Sequence, residues 1–156
     1  MSDQTDPTQK QIDELLQELR IALPGVQVLL AFLLTVPFNA RFETLAQTDR
    51  LVFFIGVVAA ASASILMIAP SAHHRFDWPG GPADLERLLW IGTNEARAGL
   101  ISLGIAITAS LYVVADAIYG GLVGPITAAL VAVGLATLWV ILPLAMKGAG
   151  PSRRRR

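Results

Sequence analysis

Residues 51–70 read LVFFIGVVAAASASILMIAP, twenty positions without one charged side chain. A hydrocarbon core of about 30 Å takes about 20 apolar residues as helix, so this stretch is long enough to cross a bilayer. Three others resemble it. Residues 21–40 hold 20 uncharged positions and residues 98–115 hold 18. Residues 118–146 hold 29, enough for one tilted span and too short for two with a turn. Four such stretches in 156 residues cannot all be buried core helices of a small soluble domain. Backbone inside lipid must satisfy its own hydrogen bonds, so each reads as a helix. The alternating pattern of a membrane β-barrel is absent. The expected fold is all-α: a polytopic membrane protein with four transmembrane helices in a bundle and amphipathic helices at the inner surface. The expected spans are 21–40, 51–70, 98–115 and 122–146.

Composition agrees. The chain is 54% hydrophobic and only 15% charged, where a soluble domain carries about 25% charge; its mean hydropathy is +0.58. That argues against disorder, a soluble enzyme or a nucleic-acid binder. With no cysteine there is no disulfide, thiolate metal site or cysteine nucleophile. The first twenty residues are polar and net acidic, with Asp3, Asp6, Asp13, Glu14 and Glu18 against Lys10 and Arg20. They lack the basic start of a signal peptide, so span one is expected to be an uncleaved anchor.

Orientation follows from Lys and Arg. Four spans put both termini on one side. That side holds ten of the twelve basic residues, including Arg75, Arg87, Arg97 and the tail Arg153, Arg154, Arg155 and Arg156; the other holds Arg41 and Arg50. Both termini are therefore expected in the cytoplasm, with the plasma (inner) membrane as the location. The far side is nearly bare: residues 41–50 and a tight turn at Gly120-Gly121.

Residues 1–20 form an N-terminal arm. From about residue 8, Ile12, Leu15, Leu16, Leu19 and Leu23 recur at helical spacing opposite Asp13, Glu14, Gln17 and Glu18. This amphipathic helix belongs either on the membrane surface or on its neighbours, as an extension of span one. The cytoplasmic loop 71–97 contains the breaker cluster Asp77-Trp78-Pro79-Gly80-Gly81-Pro82 and then a second amphipathic face, Leu85, Leu88, Leu89 and Gly92. Pro70-x-Ala72-x-His74 echoes Pro143-x-Ala145-x-Lys147, which fits either a duplication or convergent helix exits.

Helices in lipid pack through small residues. Ladders at i, i+4 run through Gly56, Ala60 and Ser64; through Ala98, Ser102, Ala106 and Ser110; and through Gly120, Gly124, Ala128, Ala132 and Ala136. Spans two, three and four are expected to pack tightly. Span one, rich in Leu and Phe, packs by bulk or faces lipid.

Polar groups in the membrane are the functional candidates. Gln27 follows Pro24-Gly25 and either rebonds a carbonyl freed by the proline or bridges helices, with a role as substrate ligand as the functional alternative. Asp116 closes span three at the unfavourable end of the helix dipole, so it is expected beside Arg41 or Arg50. An ion or proton site at a pathway mouth is the functional alternative. Glu18 and Arg20 are expected to face Glu95 and Arg97. His73-His74-Arg75 sits at a helix exit, where adjacent histidines make a poor metal pair. The arginine tail either anchors on anionic headgroups, at about 1 kcal/mol per charge, or only sets topology. No G-x-S-x-G, Walker A, H-E-x-x-H or paired-carboxylate motif occurs; no cofactor or metal site is expected.

The run from Glu14 to Leu29, ELLQELRIALPGVQVL, followed by AFLLTVPF at 31–38, resembles the opening signature of an uncharacterised bacterial domain-of-unknown-function family. Members share four spans, Asp49-Arg50 before span two, Ile68-Ala69-Pro70-Ser71-Ala72 and His74-Arg75 after it, and an acid like Asp116 closing span three. The resemblance covers most of residues 14–118 and implies no activity. It marks Glu18, Arg20, Pro24, Gln27, Arg41, Asp49, Arg50, His74 and Asp116. The expected function is non-enzymatic: association with lipid or membrane-protein partners, possible self-association included, and no nucleic acid. A small oligomeric transporter or channel is the alternative; a lipid enzyme has only His73, His74 and Glu95 behind it.

Overall fold

A computed structural model describes residues 7–75 and 82–148, apart from the side chains of His74, Arg75, Pro82 and residues 146–148. The arginine tail, most of the breaker cluster and the first six residues lie outside the described residues. Helix α1 spans Pro7–Thr35, α2 Gln47–Arg75 and α3 Pro82–Tyr119. Helix α4 (Val123–Ala136) continues through a π-helical turn, Thr137–Ile141, into α5 (Leu142–Gly148). Among the described residues there is no strand. Four helical stretches are long and apolar enough to cross a membrane: Pro7–Phe38, Gln47–His73, Ala83–Tyr119 and Val123–Ala145. The chain runs up and down four times, leaving a termini end and a turn end.

The arm does not lie apart from span one. Both belong to α1, which runs through Pro24 without ending. Its buried residues are Ile12, Leu19, Val26 and Leu33. They recur every seven positions, the period that keeps one seam of a helix on its neighbour. Leu15, Ala22, Leu23, Leu29 and Leu30 flank that seam, which packs by bulk against residues of both α2 and α3. The arm is thus the extension of span one, packed on its neighbours. The second amphipathic face likewise forms the first turns of α3, with Leu88 buried and Gly92 against Leu15 and Pro70.

The core is the α2–α3 seam. Ala60, Ala63 and Ala106 are fully buried, and Met67 nearly so. A Cβ added at Gly56 would lie 3.2 Å from Ala109 Cβ, and one at Gly99 would lie 3.0 Å from Met67 Cγ. Backbones approach this closely only where side chains are small, which in lipid substitutes for the missing hydrophobic drive. Ser64 and Ser110 return their hydroxyls to Ala60 O and Ala106 O, so neither needs a partner helix.

Two 3-10 turns, Val36–Phe38 and Ala40–Thr44, cross the turn end between α1 and α2. Asn39 accepts from Arg41 N–H through its side chain at 3.1 Å. Phe42 sets its ring edge-on to Phe53, centroids 5.2 Å apart. Between α3 and α4 the chain reverses on Gly120 and Gly121, whose φ values of +65° and +64° suit only glycine.

Span four departs from the expectation of tight packing. Of α4, only Gly124 is buried. The ladder Ala128, Ala132 and Ala136 does face α3, but across from Leu100, Ile101 and Ile105 it leaves an open groove of about 890 Å³. Small residues on one wall thus hollow the contact instead of closing it.

Candidate functional site

Two places gather polar side chains against this apolar frame. The first is at the turn end. Asp49 sits in the first turn of α2, where the helix dipole favours a carboxylate. It is buried, and it faces Tyr112 of α3 closely enough to act on the phenol electrostatically. Asp116, one turn beyond Tyr112, lies in the same electrostatic neighbourhood. Its side chain packs on Gly124, where an added Cβ would sit 2.8 Å from Asp116 Cβ and 2.9 Å from Oδ1.

Asp116 does not pair with Arg41 or Arg50, contrary to the expectation. Among the described residues the one salt bridge is elsewhere. Arg50 donates instead to two backbone carbonyls, Leu45 O at 3.1 Å and Glu43 O. The short 3-10 turns leave these oxygens without regular helical donors, and a guanidinium satisfies two at once. Arg41 is exposed. Asp49 and Arg50, adjacent in sequence, therefore point in opposite directions: one is buried toward Tyr112 of α3, the other holds the 43–45 turn. Tyr112 was not among the sequence candidates; a lone tyrosine near a span end reads as an interfacial aromatic, and only its depth beside Asp49 distinguishes it.

The second place is the termini end. His73 Nε2–H donates to Glu95 Oε1 at 3.0 Å, joining α2 to α3. Glu95 Oε2 is buried without a hydrogen-bond partner. Glu95 thus meets His73 and not Glu18 or Arg20, which are exposed on α1. A histidine and a carboxylate do converge here, but neither lines the groove or the pocket described next. Among the described residues no group of three or more His, Cys, Asp and Glu could hold a metal. The His74 side chain lies outside the described residues. Gln27 is exposed on the outside of α1 and makes no side-chain hydrogen bond, so it neither rebonds the Pro24 turn nor bridges helices within this chain.

Alongside these clusters, two cavities meet on one stripe of α3. The groove between α3 and α4 is walled by apolar side chains and closed at depth by Leu135 and Trp139 over Gly104. Pro143 and Leu144 extend it toward the termini end. Pro143 has no N–H and its ring collides with the carbonyl four residues back. The π-helical turn before it, with Leu142 N–H bonded to Thr137 O, opens the helix there. The second cavity, about 360 Å³, lies beside the α1 start and is lined by Gln11, Glu86, Trp90, Thr93 and Asn94 among others. Arg97 lines both.

Fold and surface together define an all-α polytopic membrane protein. Within that class the chain belongs to the family of unknown function DUF6328, whose model matches residues 3–143. No curated protein and no solved structure matches it.

Proposed function

We propose that this is a small non-enzymatic plasma-membrane protein, both termini cytoplasmic, that acts by association with lipid or membrane-protein partners. The observation that carries the reading is span four. It leans on α3 along one side only and leaves a groove of about 890 Å³ open between two apolar walls. A helix whose only task was to complete a bundle would close that space, because an unfilled wall forfeits its dispersion contacts. The ten-to-two distribution of basic residues supports the orientation. The tail Arg153, Arg154, Arg155 and Arg156 suits anionic headgroups at about 1 kcal/mol per charge.

The transporter or channel alternative needs Gln27, Asn39 or Asp116 on a watered path. None of the three lines the groove or the polar pocket, so no observation favours it. The test is to extract the intact protein from its native membrane in mild detergent and weigh what stays bound. The reading predicts a lipid or a membrane protein in fixed ratio to the chain. A bare chain that conducts ions or solutes in liposomes would refute it.

A further inference from the structure

We infer that one membrane glycerophospholipid binds between α3 and α4, with its phosphate on Arg97 and an acyl chain in the groove. This rests on the association reading and names the ligand it leaves open. One stripe of α3 at helical spacing lines both cavities: Trp90 and Thr93 the polar one, Ile101, Gly104 and Thr108 the apolar one, Arg97 both. Along the helix the order is polar surface, cation, hydrocarbon wall. Headgroup, phosphate and chain follow the same order in a glycerophospholipid.

Dimensions agree. From Arg97 to Tyr112 the groove wall runs about 22 Å at 1.5 Å per residue, longer than one leaflet's half of a roughly 30 Å core. Its volume of about 890 Å³ falls among small-molecule sites, roughly 300–1,000 Å³.

Charge decides between occupants. Among the described residues Arg97 has neither an ion pair nor a hydrogen bond through its side chain. Its planar fork matches a phosphate with two parallel bonds. Glu86, the carboxylate of the polar pocket, stands three turns away along α3 and does not neutralise it. A partner helix seated in the groove would have to bring an acid to that one depth; a phospholipid carries its anion there by construction of the bilayer.

The test is native mass spectrometry of the full-length protein in mild detergent. It is titrated with phosphatidylglycerol and with diacylglycerol of the same chains. One phospholipid per chain is expected, with diacylglycerol held at least tenfold more weakly. Arg97→Leu should weaken phospholipid retention tenfold or more, and Arg97→Lys, which keeps the charge and loses the fork, should restore it only in part. Ala132→Phe, which fills the groove and leaves the arginine in place, should weaken it as much. An unchanged helical circular-dichroism spectrum for each variant keeps a folding defect from imitating the result. Equal binding by Arg97→Leu, equal binding of diacylglycerol, or a graded ladder of adducts that no variant alters, as annular lipid gives, would overturn the inference. A chain that carries a partner protein and no lipid would overturn it while leaving the association reading standing. A bare chain would overturn both.

Discussion

Replacing Ala106 with leucine is expected to destabilise the helix bundle by about 1–3 kcal/mol or more, the cost of overpacking a full core. Ala106 is fully buried, as are Ala60 and Ala63 across the seam. The seam is already close: a Cβ at Gly56 would lie 3.2 Å from Ala109 Cβ and in van der Waals contact with Ala106 O. Three added carbons have no void to enter, so α2 and α3 must separate along their length. In water the hydrophobic effect would hold separated helices loosely together; in lipid the tails solvate the exposed faces as well as leucine does. The loss should appear as a lowered unfolding midpoint in a denaturing-detergent titration of the reconstituted protein. Ala129→Leu, at an exposed position of α4, should stay within about 0.5 kcal/mol of wild type. If the two variants behave alike, the seam is not where the bundle is held.

Gly124→Val is the second large effect, and it acts on α4 alone. The new Cβ would lie 2.8 Å from Asp116 Cβ. That carbon is fixed to the α3 backbone and cannot swing aside. The Gly120-Gly121 reversal ties the two helices at this end, so relief comes by tilting α4 away from α3. The groove widens most at the termini end, and the bundle loses about 1–3 kcal/mol. The chain has no cysteine, so spin labels at Ile101→Cys and Leu138→Cys can report the spacing cleanly; both positions are exposed. The distance distribution should lengthen and broaden. Asp116→Ala keeps the offending Cβ and should not restore it, whereas Asp116→Gly should. Restoration by Asp116→Ala would assign the effect to the carboxylate and contradict the steric account.

The four spans were legible because charge-free runs about 20 residues long have few homes other than a bilayer. The α2–α3 seam was half legible. Gly56, Ala60 and Ser64 stood out as a ladder and are buried, but the α3 side is shifted: Ala106 lies in the seam, with Gly99 and Ala109 in place of Ala98 and Ser102. The seven-residue seam of α1 was hidden at the point where the arm enters the membrane. Before it, polar residues mark the outer face; beyond it the outer face meets lipid and is as apolar as the inner one, so periodicity fades although packing continues. The alanine ladder of α4 was misread for a related reason. Small residues permit close approach but do not compel it, and here they shape a hollow.

The candidate site divides the same way. Asp49 was marked by the family pattern, but its partner Tyr112 lies sixty-odd residues away and only the α2–α3 register joins them. Asp116 was expected to draw an arginine by charge alone; the unbonded carbonyls of the 43–45 turn compete for Arg50 and win. Arg97 was visible as a boundary charge. That it stands where two cavities join follows only from the gap that α4 leaves.

Single cysteines at Phe38, Tyr119 and Lys10, treated in intact cells with a maleimide that cannot cross membranes, test the threading most directly. Phe38 and Tyr119 are among the most exposed large side chains at the turn end, and Lys10 is exposed near the start of α1. Labelling of the first two in intact cells, and of the third only after the cells are opened, is the predicted pattern. Modification of Lys10→Cys from outside, or of just one member of the other pair, would mean that the chain does not cross four times with its ends in the cytoplasm.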